Sequence, residues 1–113
     1  MHELSLCLNI LKTLERQAKL NNFSHIKMIC LEMGALAGVE KEALVFSFSI
    51  AAKNTMAENA QLNIIDVPGQ AQCHSCHKIV NVDAYFSACS QCGQYGLELI
   101  KGTELRIREV EVV

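Results

Sequence analysis

Cys73-His74-Ser75-Cys76 and Cys89-Ser90-Gln91-Cys92 are two Cys-x-x-Cys pairs separated by twelve residues. Zn²⁺ binds four thiolates in a tetrahedron, and two tight turns that each present a pair of sulfur atoms complete that tetrahedron. A closed set of four ligands leaves no position for a substrate. The pattern therefore predicts a structural zinc site formed by Cys73, Cys76, Cys89 and Cys92.

The first cysteine pair also fits two other kinds of site. Cys73-x-x-Cys76-His77 matches the attachment motif of c-type haem, but that cofactor would leave the second pair without a role. A thioredoxin-like redox pair needs its Cys-x-x-Cys at the start of a helix, whereas the second pair is followed by the turn-forming Gly93. We therefore favour zinc binding over haem attachment or thiol redox chemistry.

Composition limits the size of the fold and the classes of partner. The 113 residues fit one small domain, or one domain with a metal-binding appendage, and half of them are apolar. The net charge is −2 and the ten Lys and Arg residues are spread along the chain, which predicts no nucleic-acid partner. No apolar run is long enough to span a membrane. Metal-ligand spacing of cysteines without a secretion signal predicts a cytoplasmic protein.

Two segments have the apolar period of a helix that buries one face. The first runs from Leu4 to Leu20 and ends at Asn21-Asn22, residues that tolerate a left-handed backbone. The second begins near Glu40 and runs to about Lys53. The predicted inner faces consist of Leu4, Cys7, Leu8, Leu11, Leu14 and Ala18 in the first helix and of Leu44, Val45, Phe48 and Ala52 in the second.

Strands are predicted on both sides of the cysteine pairs. Residues 25–33 and 61–67 predict a buried and a half-buried strand, and Pro68-Gly69 ends the second of these. Residues 97–99 indicate a short extended piece, and a longer strand follows from residue 105. In that last strand, the apolar residues change from odd to even positions, which predicts a bulge near Arg108-Glu109.

The predicted elements define an α+β fold. Two helices pack on a small mixed β-sheet, and a four-Cys zinc-ribbon-like module is inserted before the last strand. We expect residues 1–69 and 96–113 to form the α+β domain and residues 70–95 to form the zinc-binding module. A module of this length buries too little apolar surface to fold alone, and zinc binding contributes roughly 10 kcal/mol or more at structural sites of this size.

The N-terminus carries a second possible metal site, Met1-His2-Glu3. The α-amine, the amide nitrogen of residue 2 and the imidazole of His2 can form fused chelate rings around one metal ion. Three nitrogen ligands in a plane suit Ni²⁺ or Cu²⁺, and Glu3 can add an oxygen ligand or orient the imidazole. The motif by itself is weak, because a terminal His is usually a solvated side chain.

Four features, in order along the chain, resemble one protein family. They are the start Met1-His2-Glu3-Leu4-Ser5-Leu6-Cys7, the Leu-Glu-Met-Gly-Ala-Leu stretch at residues 31–36 followed by Val39-Glu40, the paired Cys-x-x-Cys motifs, and Leu105-x-Ile107. Together they cover nearly the whole chain. It is similar to the HypA/HybF family of hydrogenase-maturation factors, which are nickel metallochaperones without known enzymatic activity of their own.

The resemblance implies one nickel site and one zinc site. Ni(II) is bound by His2, with the Met1 amine and Glu3 contributing, and Zn(II) is held by the four cysteines. The resemblance also implies that the domain of residues 1–69 and 96–113 binds nickel, and that a HypB-type GTPase helps to deliver it to the large subunit precursor of a [NiFe] hydrogenase. We expect a monomer or homodimer that is not an enzyme. The chief alternative is a zinc-ribbon interaction or nucleic-acid-binding module, followed by a thiol oxidoreductase.

Other Cys and His residues have simpler interpretations. Cys7 and Cys30 fall on apolar faces and are predicted to be buried side chains without a metal-binding role. His74 and His77 flank the thiolates and are predicted to face solvent or to support the ligands. The resemblance adds the option that a His replaces a thiolate, although the second cysteine pair has no adjacent His.

Overall fold

The computed structural model describes residues 3–113, and within this range the chain forms two helices and six strands. The elements are α1 (Glu3–Asn21), β1 (Ile26–Gly34), α2 (Lys41–Ala51), β2 (Gln61–Val67), β3 (Gly69–Cys73), β4 (Ile79–Val82), β5 (Leu97–Lys101) and β6 (Leu105–Val112). The strands form two three-stranded sheets with the orders β2-β1-β6 and β4-β3-β5. The predicted α+β class is confirmed, and the cysteine segment belongs to a sheet of its own.

Helix α1 has a narrower buried face than the sequence predicts. Its buried residues are Cys7, Leu11, Leu14 and Ala18. Leu4 and Leu8, predicted to lie on the same face, are 45% and 47% exposed. Leu8 directly follows a buried residue and therefore lies about 100° away around the helix axis. Leu4 lies in the first turn of the helix, before the first buried position. The prediction that Leu4 and Leu8 are buried was therefore wrong.

Both helix ends lie close to their predicted positions. Helix α1 ends at Asn21, and Asn22 has a φ of 56°, the left-handed conformation predicted there. Helix α2 starts after Glu40, whose backbone is extended, and ends at Ala51, two residues before the predicted end. None of the described helices is long and apolar enough to cross a membrane.

Helix α2 contacts α1 through its buried face. The buried residues at this face are Leu44, Phe48 and Ala52, as predicted. Val45 was predicted to join them but is 45% exposed, because it follows Leu44 directly and lies about 100° from the buried face. The Sγ atom of Cys7 lies 3.5 Å from the carbonyl oxygen of Leu44, so the thiol is part of the contact between the helices.

The chain forms two compact units. The first contains the described residues up to Leu31 together with Val39–Ile64 and Ile107–Val113, and the second contains Glu32–Gly38 and Ile65–Arg106. The assignment of nickel binding to residues 1–69 and 96–113, and of zinc binding to residues 70–95, stays a prediction.

The core of the first unit comes from both helices and β1. Its fully buried side chains include Cys7, Leu14, Ile26, Ile29, Leu31 and Leu44. Cys30 is also buried, so the predicted burial of both isolated cysteines is confirmed. In β6, Ile107 and Val110 are half-buried while the two residues between them are exposed, so the alternation of exposure changes as the sequence indicates. The bulge near Arg108-Glu109 stays a prediction.

The second unit is built on the antiparallel sheet β4-β3-β5. Its central strand pairs Ala71 with Val80 on one side and Cys73 with Leu97 on the other. The segment Glu32–Gly38 joins this unit through backbone hydrogen bonds, including one of 2.7 Å from the Leu36 amide to the carbonyl oxygen of Gly102. This arrangement places β3, which ends at Cys73, in the middle of the sheet of the second unit.

Candidate metal centre

Four cysteine thiols converge in the second unit. The Sγ atoms of Cys73, Cys76, Cys89 and Cys92 all lie within 4.8 Å of one another. Between the two pairs, the Sγ atom of Cys73 lies 3.6 Å from that of Cys92, and the Sγ atom of Cys76 lies 3.8 Å from that of Cys89. Groups of three or more His, Cys, Asp or Glu side chains can hold a metal ion when their ligand atoms lie this close together. Among residues 3–113, these four cysteines form such a group.

The size of the cluster fits a tetrahedral zinc site. Zn–S bonds of about 2.3 Å in a tetrahedron place neighbouring sulfur atoms about 3.8 Å apart. The two sulfur distances between the pairs, 3.6 and 3.8 Å, lie close to this value. Four thiolates are also the soft ligand set that favours zinc over calcium or magnesium. The donor set and these two distances therefore fit a tetrahedral zinc site.

The two cysteine turns have the same backbone hydrogen bonds. In the first turn, the His77 amide donates to the carbonyl oxygen of Cys73 at 2.9 Å, and the Cys73 amide donates to the carbonyl oxygen of Lys78 at 3.0 Å. In the second turn, the Gly93 amide donates to the carbonyl oxygen of Cys89, and the Cys89 amide donates to the carbonyl oxygen of residue 94, each at 2.8 Å. The centre is thus assembled from two local copies of one turn, which explains why the spacing within each pair is the same.

Backbone amides favour the thiolate form of the first cysteine in each turn. A backbone hydrogen bond from Cys76 is the largest cause that lowers the pKa of Cys73 to about 6, and the Ser75 amide acts in the same direction. The pKa of Cys89 is lowered chiefly by the backbone hydrogen bond from Cys92, and next by that from Gln91. These amides point at the sulfur atoms because the chain turns tightly between the two cysteines of a pair.

Cys92 has the opposite tendency. The backbone hydrogen bond from Gln94 favours its thiolate, but desolvation and the neighbouring thiols, first that of Cys73, outweigh this and raise the pKa of Cys92 to about 11. In the metal-free cluster, negative charge therefore concentrates on Cys73 and Cys89 while Cys92 keeps its proton. A divalent cation removes this restriction, because it neutralises the charge that four close thiolates would accumulate.

A small apolar core supports the thiols. The buried residues of this cluster are Leu36, Ala71, Cys73, Val80, Val82 and Cys89. Leu36 is the member that sequence reasoning missed, because it precedes the first metal-binding pair by more than thirty residues. The Tyr85 hydroxyl donates a 2.9 Å hydrogen bond to its carbonyl oxygen, which ties the segment between the cysteine pairs to the same place. No local periodicity in the sequence indicates this contact.

The histidines beside the cysteines lie outside the described thiol cluster. His74 is exposed, and its Nε2 atom lies 3.8 Å from Oε2 of Glu98, an exposed carboxylate on β5. His77 is also exposed. Both therefore face solvent, which agrees with the simpler interpretation of the sequence.

The structure describes only part of the predicted N-terminal site. Met1 and His2 lie outside the described residues. Glu3 is the first residue of α1, and its Oε2 atom accepts a hydrogen bond from the backbone amide of Glu40 at 3.3 Å. The side chain of Glu3 is thus in contact with the start of α2, a relationship that the sequence did not predict.

Comparison with known proteins identifies the same family along the whole chain. A family model described as "Hydrogenase/urease nickel incorporation, metallochaperone, hypA" matches residues 1–112. Proteins named hydrogenase maturation factor HypA from Acidithiobacillus ferrooxidans, Alkalilimnicola ehrlichii and Legionella pneumophila are 50%, 46% and 43% identical, each over 112 residues covering 99% of both chains. The solution structure of the Ni metallochaperone HypA from Helicobacter pylori, 23% identical, covers 100% of this chain and 98% of its own with a TM-score of 0.74, which supports the fold.

The α+β fold, the four-thiol centre and the family match define a metallochaperone for nickel incorporation. Metallochaperones carry metal ions and are a different class from enzymes. The chain belongs to the HypA family, which acts in hydrogenase maturation. The resemblance found in the sequence is thereby confirmed, and hydrogenase-related proteins are the partners that the family implies.

Proposed function

We propose that this chain binds Ni(II) at its N-terminus and delivers it to the large subunit precursor of a [NiFe] hydrogenase. His2 is the principal ligand, with the Met1 amine and Glu3 contributing. The observation that carries the proposal is the family match over residues 1–112, a range that includes Met1-His2-Glu3. A HypB-type GTPase assists the delivery, and the exchange takes place in the cytoplasm.

The two proposed metal sites differ in the way that a carrier requires. Four cysteines that surround zinc leave no open position, and such a site holds its metal tightly. A few ligands at a chain end leave positions on nickel that an acceptor can occupy before the carrier releases the ion. We therefore assign nickel transfer to the N-terminus, and to Cys73, Cys76, Cys89 and Cys92 a Zn(II) ion that stabilises the second unit.

Nickel titration of two matched variants tests the proposed nickel site. The untagged protein with its native N-terminus is compared by calorimetry with His2→Ala and with His25→Ala, which removes an exposed histidine next to β1. We expect one exchangeable nickel ion per chain in the wild type and in His25→Ala, and its loss in His2→Ala. Equal stoichiometric binding by His2→Ala would exclude the site. An N-terminal tag must be absent, because it blocks the α-amine.

Delivery is tested by transfer of the metal itself. The nickel-loaded protein is mixed with a hydrogenase large subunit precursor, with and without the GTPase and GTP, and nickel is measured in each separated protein. We expect nickel to move to the precursor, faster with the GTPase, while zinc stays with the chain. Co-transfer of zinc would contradict the assignment of the cysteines to a structural site.

A further inference from the structure

The start of helix α2 is capped by a residue from the other helix. Glu40 is the N-cap residue of α2, and its own side chain makes no capping hydrogen bond. Its backbone amide instead donates to Oε2 of Glu3 at 3.3 Å. In a capping box, the third residue of the same helix accepts this bond. In α2 that residue is Ala43, whose side chain has no acceptor. The carboxylate of Glu3 in α1 accepts the hydrogen bond in its place.

The contact is favourable for a carboxylate and joins two distant parts of the chain. Unpaired amides give the first turn of a helix a partial positive charge, which stabilises a nearby anion. Glu3 and Glu40 are 37 residues apart in sequence and belong to the same compact unit. The hydrogen bond therefore holds the first turn of α1 against the first turn of α2.

We propose that Glu3 is a positioning residue for nickel binding. Its carboxylate stays on the Glu40 amide and holds the first turn of α1 against the start of α2, which fixes the position of the residue to which the proposed nickel ligands are attached. This inference rests on the proposed function, because it takes His2 as a nickel ligand. In this proposal, the side chain of Glu3 contributes to nickel binding through its contact with the start of α2, and not as an oxygen ligand to the metal.

Two substitutions of Glu3 separate these roles. Glu3→Gln keeps an acceptor oxygen at the same distance along the side chain but replaces the carboxylate with a neutral amide, a poor nickel ligand. Glu3→Ala removes the acceptor. We expect Glu3→Gln to bind nickel within about threefold of the wild type, and Glu3→Ala to bind about five- to tenfold more weakly, the factor expected for the loss of one capping bond.

Glu42→Gln is the matched control for charge. Glu42 is an exposed acidic residue in the first turn of the same helix, so this variant removes one negative charge there without removing the Glu3 acceptor. We expect its nickel affinity to equal that of the wild type. A loss as large as in Glu3→Ala would show that total charge matters and would overturn the proposal.

Two further measurements report on geometry. Hydrogen exchange of the Glu40 amide should accelerate in Glu3→Ala but not in Glu3→Gln, and the nickel X-ray absorption spectrum of Glu3→Gln should match that of the wild type. The proposal is wrong if Glu3→Gln loses as much affinity as Glu3→Ala with an altered spectrum, or if Glu3→Ala binds like the wild type. Undiminished nickel binding by His2→Ala would instead refute the nickel site itself, and the Glu40 exchange rates would still show whether the cap exists.

Discussion

His77 and Gly93 occupy equivalent positions directly after the two cysteine pairs, with φ values of 62° and 77°. Each donates its amide to the carbonyl oxygen of the first cysteine of its pair. Glycine adopts this left-handed conformation without steric cost, whereas a residue with a Cβ atom is destabilised by roughly 1–2 kcal/mol. The first cysteine turn therefore carries backbone strain that the second turn avoids.

Gly93→Ala should introduce the same backbone strain into the second cysteine turn. An added Cβ at this position meets no atom within 4 Å, so the cost comes from the backbone alone. We expect the free energy of unfolding of the zinc-bound protein to fall by about 1–2 kcal/mol, with faster zinc loss to a chelator. Gly38→Ala is the matched control, because Gly38 has a φ of 72° and equally open space but lies outside the cysteine turns. It should lower stability similarly while zinc retention is unchanged.

His77→Gly should act in the opposite direction. Relief of the left-handed strain stabilises the folded state, but the greater flexibility of glycine stabilises the unfolded chain and offsets part of the gain. We expect a net increase of about 0.5 kcal/mol or less in the free energy of unfolding. Denaturant unfolding of the zinc-bound protein measures it, and a clear decrease would mean that the His77 side chain makes a stabilising contact.

Removal of one metal-binding cysteine should unfold the zinc-bound sheet selectively. We expect Cys76→Ser to lose zinc and with it roughly 10 kcal/mol of binding free energy that supports the fold of the second unit. Hydrogen exchange should then become fast at Val80 and stay slow at Leu14, which lies in the core of the first unit. Cys30→Ala, which removes a buried thiol outside the cluster, should leave the zinc content at one per chain. Retained protection at Val80 in zinc-free Cys76→Ser would contradict a structural role for the metal.

Zinc binding at pH 7 should release almost four protons, because the second unit is unfolded without zinc and its cysteines then have ordinary pKa values. Four ordinary cysteines with a pKa near 8.5 would hold almost four protons at this pH. In a folded metal-free cluster the number would be lower, because the backbone hydrogen bond from Cys76 lowers the pKa of Cys73 to about 6 and this thiol would already be largely ionised. Calorimetry in two buffers of different ionisation enthalpy counts the protons, and a clearly smaller release would mean that the second unit stays folded without zinc.

Protonation of the thiols also determines the direction of the pH dependence of zinc binding. Protons compete with zinc for the thiolates, so the apparent zinc affinity should fall as the pH is lowered. Zinc titrations between about pH 6 and 9 test this trend, and an affinity that stays constant over this range would contradict thiolate ligands.

Cys7 should resist alkylation in the folded protein. Desolvation, and next the charge of Glu3, raise the pKa of its thiol to about 11, and thiolates are the reactive form of cysteine. We expect iodoacetamide at about pH 8 to modify Cys7 only when the protein is unfolded, as measured by peptide mass spectrometry. The raised pKa contributes stability below pH 9 that is lost as the pH rises towards 11, so unfolding of Cys7→Ala should depend less on pH in this range. Rapid labelling of native Cys7 would contradict its burial.

Local patterns in the sequence predicted both helices and four of the six strands, but they missed β3 and β4 and placed some exposed residues in the core. The strand predicted at residues 61–67 matches β2, and Asn22 has its predicted left-handed backbone. Leu8 and Val45 were wrongly placed in the core, because apolar character shows that a residue can be buried but not which turn of a neighbouring helix covers it. The error arises at residues beside a buried position, where the exposed and buried faces of a helix meet.

By itself, the sequence determined both helices, four of the six strands, the two identical cysteine turns and the motifs of the HypA family. These features depend on residues within one or two turns of each other, where period and spacing decide the outcome. Only the tertiary structure decided that Leu36 packs beneath the thiols, that Cys73 faces Cys92 at 3.6 Å, and that Glu3 caps α2. These contacts join residues that are at least 19 positions apart in the sequence. Packing of the whole unit determines which residues meet, and no local sequence pattern predicts it.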